Sequence, residues 1–444
     1  MLDPEQARHI AEALVERAIA AGASAADAIY AGDRSSEVQV RLGELENVGR
    51  SEGEEIALRL FAGQRSASVA SSDLSGDALG LLVERGLAMA REAPEDPFAG
   101  LAPDALLHRG AIPQIDSFDP NEPDPAALRT RALEAENAAL AVPGVANSKG
   151  AGASASASIV ALATSGGFSG AFRSSGFGCS AAVIAGTGAD MQTDYGWHSA
   201  RHLSDLESAA EIGRRAGERT VARLNPARPR GGTYPVLFDP RVSASLLGHF
   251  AGAINGAAIA RKTSFLQDAL GTSVFAPGVT IIDDPLRPRG LRSRAFDGEG
   301  VRVARRELVS AGVLNQWIAD SASARQLGIA PTGHAARGGG AGPSNLSIAP
   351  GTRSRAELLS AYPEAILVTF LIGQGVNGVT GDYSRGAAGF MVRNGEIAEP
   401  VAEITIASNL RHMFATLEPA DDLELRLGID APTLLVPEMT VASA

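Results

Sequence analysis

The sequence predicts an α+β protein, with an N-terminal α/β layer domain and a large β-rich C-terminal domain. Three observations predict it. The opening residues run helix, strands, helix. Glycine- and serine-rich stretches after Val145 keep returning apolar side chains at strand spacing, and short β-patterned runs dominate beyond Gly232. Two breaks divide the chain into 1–93, 94–225 and 226–444. The first is a proline-rich stretch from Ala93 to Pro125 and the second is Asn225–Gly232, with Pro226, Pro229 and a glycine pair.

The elements follow in order. Asp3 caps a first helix, Pro4 suits its first turn and Gly22 its exit, with Ile10, Leu14 and Ala18 on one face. Strands are expected at Asp27–Gly32, Glu37–Leu42, Ile56–Ala62 and Ser66–Val69, where apolar and polar residues alternate. Ser75 opens a second helix carrying Leu79, Leu82, Val83 and Leu87. A helix from Asp124-Pro125 to Leu140 precedes antiparallel hairpins between Val145 and Gln192, and another helix follows over Asp205–Leu224. Beyond the second boundary come a strand at Tyr234–Phe238 and a helix over Arg241–Ala258. Further strands are expected at Val279–Ile282, Val301–Arg305, Ala365–Ile372, Gly389–Arg393, Val401–Ile406 and Asp422–Leu427.

Composition excludes several classes. The 444 residues carry 39 basic and 51 acidic side chains, a net charge of −12 that disfavours direct contact with nucleic acid or an anionic membrane. Cys179 is the one cysteine, so neither an intrachain disulfide nor a thiolate metal cluster can form. No apolar run is long enough for a membrane span, and the opening Met-Leu-Asp-Pro-Glu has no secretory pattern. The cytoplasm is the expected compartment.

Candidate chemistry is sparse. His249 lies in the expected 241–258 helix, but no glutamate adjoins it and the next histidine is His334, so a zincin pair is absent. Gly248, Gly252 and Gly256 form an i,i+4 stripe on that helix. Close backbone packing is the ordinary reason for such a stripe, and a groove wall for an extended peptide is the functional one. His198 and His202 have metal-ligand spacing if their segment is helical, but lack an adjacent glutamate. Cys179 reads as a small buried side chain. The run Gly373–Asp382 resembles a phosphate loop superficially, without its lysine. Its Asn377 and Asp382, with Arg385 beyond, can offer polar groups to a peptide or partner, and 382–386 is the polar patch best suited to contact. The glycines from Gly338 to Gly342, with Thr332, His334, Arg337, Ser344 and Asn345, are a loop that could close over a bound chain.

Several separated segments together resemble the PmbA/TldD family, on its PmbA (TldE) branch. They are Ser384-Arg-Gly-Ala-Ala-Gly-Phe390, Asn394-Gly-Glu-Ile-Ala-Glu-Pro400, Gly167-Phe-Ser-Gly170, Arg325-Gln-Leu-Gly-Ile-Ala-Pro-Thr-Gly333 and Pro343-Ser-Asn-Leu346. The resemblance spans nearly the whole chain. It implies an α+β N-terminal part, a β-rich C-terminal part and a link to proteolysis, beside an older association with DNA gyrase. The TldD branch carries His-Glu-x-x-x-His and a distant cysteine as zinc ligands. Aligned through Thr263-Ser264, those helix positions here are Leu247, Gly248 and Gly252, and the cysteine region reads Leu425–Thr433 without a cysteine. The resemblance therefore implies no catalytic, cofactor or metal residue in this chain. It implies a heterodimer with a TldD-like catalytic subunit that holds the zinc and cleaves unfolded or short peptides, with a homodimer possible for the isolated chain. His249, Asn377, Asp382 and Arg385 are the possible peptide or partner contacts, and an exposed strand is a possible peptide edge. The alternatives are an independent binding or regulatory protein of the gyrase-modulator type, and a hydrolase using His249 or the His198/His202 pair.

Overall fold

The computed structural model describes residues 1–336 and 339–443, with only the backbone at Ala189. Arg337 and Gly338, part of the expected closing loop, lie outside the described residues.

The N-terminal half is built from α1 (Pro4–Ala20), β1 (Ala25–Arg41), β2 (Glu44–Ala62), β3 (Arg65–Ser71), α2 (Gly76–Glu92), α3 (Pro125–Leu140), β4 (Val145–Thr164), β5 (Ser169–Ala185), β6 (Gln192–Ala200) and α4 (Ala209–Val221). The caps read from sequence are present. Asp3 accepts from the amides of Glu5 and Gln6 while Gln6 answers through its side chain, Ser75 caps α2 and Asp124 caps α3. The strands form one antiparallel sheet in the order β3-β2-β1-β4-β5-β6, so a single sheet runs across position 93. The two short strands expected at 27–32 and 37–42 are one strand, β1. The polar run Asp33–Ser36 does not interrupt it, because β1 is interior and its backbone pairs with β2 on one side and β4 on the other throughout.

Ala26, Ala28 and Tyr30 pack under α1 and α2, whereas Val38 and Val40 pack under α3 and α4. These even-numbered positions share a face, so both helix pairs cover the same side of the sheet. On the opposite side Leu162, Phe168, Phe296 and Val301 join the sheet to the C-terminal half. The helix expected from Asp205 starts later, at Ala209, where Ser208 caps it.

The C-terminal half contains β7 (Gly232–Phe238), α5 (Pro240–Ala253), α6 (Gly256–Ala260), β8 (Ile281–Asp283), β9 (Arg306–Ser310), β10 (Val313–Leu314), α7 (Ser321–Leu327), β11 (Leu346–Ile348), α8 (Arg355–Leu359), β12 (Glu364–Ile372), β13 (Asp382–Arg393), β14 (Glu396–Asn409), α9 (Leu410–Thr416), β15 (Glu418–Pro419), β16 (Ile429–Asp430) and β17 (Leu434–Ser443). Six strands run β14-β13-β12-β7-β17-β15, and a further β14–β17 pairing closes them into a barrel-like sheet. A smaller sheet, β10-β9-β8-β11-β16, lies beside it.

Three expectations fail here for local reasons. The 241–258 helix is two helices, because Asn255 caps α6 through the amide of Ala257 and the Gly256 amide turns to Ile318 O. Val301 makes only an isolated bridge to Leu107, and the strand begins at Arg306. Asp422–Leu427 is not a strand, since Asp430 takes the amides of Arg426, Leu427 and Gly428 and Asp422 takes that of Thr433. No described helix is long and apolar enough to cross a membrane.

The tightest helix contact is between α3 and α4, where a Cβ at Gly213 would sit 1.9 Å from Ala135 O. Gly213→Ala should therefore destabilise the chain by about 1–3 kcal/mol, read as a lower urea midpoint. An unchanged midpoint would show that the two helices can separate freely.

Candidate functional site: the open face of α5

Asp239 caps α5 through the amide of Arg241, and Pro240 supplies the first turn. Leu246, Leu247 and Phe250 are buried with Val236, Phe238, Val368 and Phe414 in the main core. That packing fixes the rotation of the helix. Gly248 and Gly252 consequently lie on its exposed side, where a Cβ at either position would meet no heavy atom within 4 Å. Gly256 differs, because a Cβ there would press on Ser323 Oγ at 2.8 Å. Close packing thus explains Gly256 and not the other two. A bare strip of helix backbone faces outward at Gly248 and Gly252.

His249 flanks that strip. Its ring meets the Tyr383 ring edge to face, with centroids 6.1 Å apart. Tyr383 and Arg385 are two residues apart on β13 and so share a face. His249 Nε2, Tyr383 Oη and Arg385 Nε are all buried and have no hydrogen-bond partner among the described residues. Tyr383 is only 1% exposed. Leaving a buried polar group unpaired costs on the order of 1–3 kcal/mol, so three at one place make this a locally costly arrangement. Burial, then the charge of Arg385, holds His249 below its ordinary pKa and keeps the imidazole neutral near pH 7. Burial raises the Tyr383 phenol well above its ordinary value, against the opposing charge of Arg385.

Asn377 and Asp382 have other work. The Asn377 side-chain oxygen accepts from the amides of Val379 and Thr380, and Asp382 accepts from Thr380 Oγ1 at 2.6 Å and Asn409 Nδ2 at 3.0 Å. Both shape the loop between β12 and β13. Gly375 is needed there because the Ser384 carbonyl lies 1.9 Å from where its Cβ would be. Ile372 and Val379, both largely exposed, flank this loop. The exposed strand expected for a peptide is not at this site. β13 is paired with both β12 and β14, and Val376 and Gly375 pair with Tyr383 and Ser384.

The remaining candidates separate. His198 lies on β6, not a helix, and accepts from the Glu207 amide, whereas His202 lies beyond the strand and meets Asp116. Cys179 is buried on β5, and burial pushes its thiol up to about 11, which removes thiolate reactivity. Thr332, His334, Ser344 and Asn345 form no lid. His334 and Ser344 are buried on Asp283 and Asn345 on Ser293 and Asp284, while the half-buried Thr332 hydroxyl bonds the Ala319 carbonyl.

A zinc ion does not fit the open face. Leu247 is an aliphatic side chain in the core and Gly248 and Gly252 have no side chain. No group of three or more His, Cys, Asp or Glu that could hold a metal occurs among the described residues.

Comparison with known proteins agrees with the architecture. Sequence models of the PmbA/TldA metallopeptidase domain 1, central domain and C-terminal domain match residues 26–90, 118–224 and 231–443. The chain belongs to the PmbA/TldD family, on its PmbA branch. It is 38% identical over 407 residues to Metalloprotease PmbA of Escherichia coli O157:H7, covering 91% of this chain and 89% of the relative. A Metalloprotease PmbA homolog of Haemophilus influenzae is 36% identical over 441 residues, 99% and 96% of the two chains. Among solved structures, TldE from Thermococcus kodakarensis superposes with a TM-score of 0.86 at 19% identity, covering 98% of this chain and 100% of that one. A Bacteroides thetaiotaomicron protein described as a candidate modulator of DNA gyrase superposes with a TM-score of 0.93 at 24% identity over the full length of both. At those identities the two structures establish the fold alone.

Two outcomes follow for the isolated chain. Gly252→Ala fills open space on a helix and should raise the unfolding free energy by about 0.5–1 kcal/mol; a loss would mean that the face is packed in solution. The depressed pKa of His249 makes the unfolded chain bind a proton first, so its contribution to stability is present above about pH 6.5 and is lost as pH falls through the folded value. Urea titrations across that range should show a smaller acid loss in His249→Gln than in the parent. An identical pH dependence would mean that the ring is solvated.

Proposed function

We propose that this chain is the non-catalytic subunit of a zinc-dependent metallopeptidase, paired with a TldD-like catalytic subunit that holds the zinc and cleaves unfolded or short peptides in the cytoplasm. One observation carries this reading. The helix face that the resemblance aligns with a zinc motif is bare at Gly248 and Gly252, yet it is bordered by the unpaired polar atoms of His249, Tyr383 and Arg385. Such a face has nothing with which to activate water, but it admits another backbone closely at Gly248 and Gly252, and a small rearrangement of the side chains on docking would bring the covered polar atoms beside it into hydrogen-bonding reach. Neutral His249 can donate or accept at Nε2, the Tyr383 hydroxyl can do either, and Arg385 Nε donates. These groups suit a peptide backbone or the rim of a partner subunit. Asn377 and Asp382 support them indirectly, through the loop they shape. Relatives at 38% and 36% identity bear the name metalloprotease, and pairing reconciles that name with a donor set unsuited to zinc. An independent gyrase modulator draws on the family's older association with DNA gyrase and on the names of two structural neighbours at 24% and 23% identity. A homodimer is possible where the partner is missing.

The test is hydrolysis of an unstructured peptide by this chain, by the TldD-like subunit of the same organism, and by their equimolar mixture, with zinc measured in each. Cleavage is expected in the mixture, lost when the partner's motif histidines are replaced and retained with Gly248→Ala/Gly252→Ala here. His249→Ala/Arg385→Ala should lower turnover or assembly of the mixture about 10-fold or more, the loss of one or two hydrogen bonds to a charged or buried group. Zinc-dependent cleavage by this chain alone, abolished by replacing its own histidines, would overturn the proposal.

A further inference from the structure

A cavity of about 330 Å³ lies at the N-terminal end of α5, where the N-terminal sheet meets the C-terminal half. Tyr195 and Trp197 of β6 form part of its wall, and Arg215, Arg219, Arg241, Arg355 and Arg426 converge on it. Four of the five guanidiniums are matched. Arg215 and Arg426 each reach Glu207 at 2.5 Å, Arg241 reaches Asp194 at 2.6 Å, and Arg355 reaches Asp239 at 2.9 Å. The acids that line the cavity are likewise engaged. Asp422 bonds Thr433, Glu424 meets Arg426, and Asp430 takes amides of its own turn.

Arg219 is left over. Its side chain makes no hydrogen bond or ion pair with any described residue. Partial burial and the neighbouring charges of Arg241 and Arg215 bring it down to about 10, against the weaker opposing pull of Asp239 and Asp194. Beside it, Tyr195 and Trp197 are each 40% exposed, and the Arg241 guanidinium lies 4.9 Å from the centroid of the Tyr195 ring. A guanidinium without a hydrogen bond, next to exposed aromatic surface in a concave site, matches a small anion that carries an apolar body.

We propose that this cavity binds a carboxylate or phosphate group borne on an aromatic or apolar body, with Arg219 taking the charge and Trp197 the body. Trp197 and Trp317 are the two tryptophans of the chain, and Trp197 is the one in this wall, which makes binding visible by fluorescence. The probes are phenyl phosphate, N-acetylphenylalanine and N-acetylphenylalanine amide, added to the full chain at low salt. Saturable quenching by at least one anion and not by the amide is expected, with Trp197→Phe abolishing the signal. The tighter of the two anions identifies the source, a phosphate ester or a carboxylate such as a peptide terminus. Arg219→Gln should weaken binding about 10-fold or more while Arg219→Lys retains most of it, because a charge-assisted hydrogen bond is at stake. Without ligand, Arg219→Gln should melt at or above the parent temperature, since like-charge repulsion is relieved. A lower melting temperature would assign Arg219 a structural role and overturn the proposal. So would an absence of saturable quenching by either anion, equal quenching by the amide, or parent-like affinity in Arg219→Gln.

Discussion

The rotation of α5 is the constraint on which the candidate site depends. Leu246, Leu247 and Phe250 lock one side of the helix into the main core, each burial contributing roughly 1.5–3 kcal/mol. Once those side chains are committed, Gly248 and Gly252 can only face outward and His249 can only stand at the edge of the strip. Barrel closure by the β14–β17 pairing then fixes β13, and with it Tyr383 and Arg385, against that helix. A fold that closes its own sheet has satisfied its strands here, so what remains on offer at this place is side-chain chemistry and a bare helix backbone.

The contrast with the rest of the molecule sharpens that reading. Many buried charges elsewhere are compensated: Asp194 holds Arg241 and Arg223, Glu136 takes Ser148 and the amides of Leu42 and Gly43, and Asp283 takes Ser344, although single buried atoms of Arg201, Arg294, Arg306, Gln316 and Trp317 also lack partners among the described residues. What sets His249, Tyr383 and Arg385 apart is their position beside a bare helix face, and what sets Arg219 apart is a guanidinium without a hydrogen bond in a cavity walled by exposed aromatic rings. The two differ in kind. The first is an open face suited to a backbone or another subunit, and the second is a concavity suited to a small anion.

Much of the fold was legible because its signals are local. Asp3, Ser75 and Asp124 announce helix starts by their own hydrogen-bonding chemistry, and alternation marks Val38 and Val40 as strand residues. What was not legible depends on partners distant in sequence. Asp33–Ser36 reads as a break and becomes a strand only because β2 and β4 flank it. Arg241–Ala258 reads as one helix and is split because Ile318 captures the Gly256 amide. At the site, His249 and Arg385 could be picked as polar residues in suggestive settings, but their meeting around Tyr383 is a product of tertiary packing. Asn377 and Asp382 read as equally available, but Asn377 is occupied by an Asx-type turn within the Asn-Gly-Val-Thr-Gly-Asp run, and Asp382 by Thr380 of that run and by the distant Asn409. Nothing in the sequence marks Arg219, because an arginine is unpaired only relative to neighbours brought by β6, α5 and the 422–431 segment.

Hydrogen–deuterium exchange of this chain with and without its TldD-like subunit tests the central claim most directly, since it reads the open face itself. The account predicts slowed amide exchange over residues 246–252 and 382–386 when the subunits associate. Association that leaves both segments unchanged would contradict it.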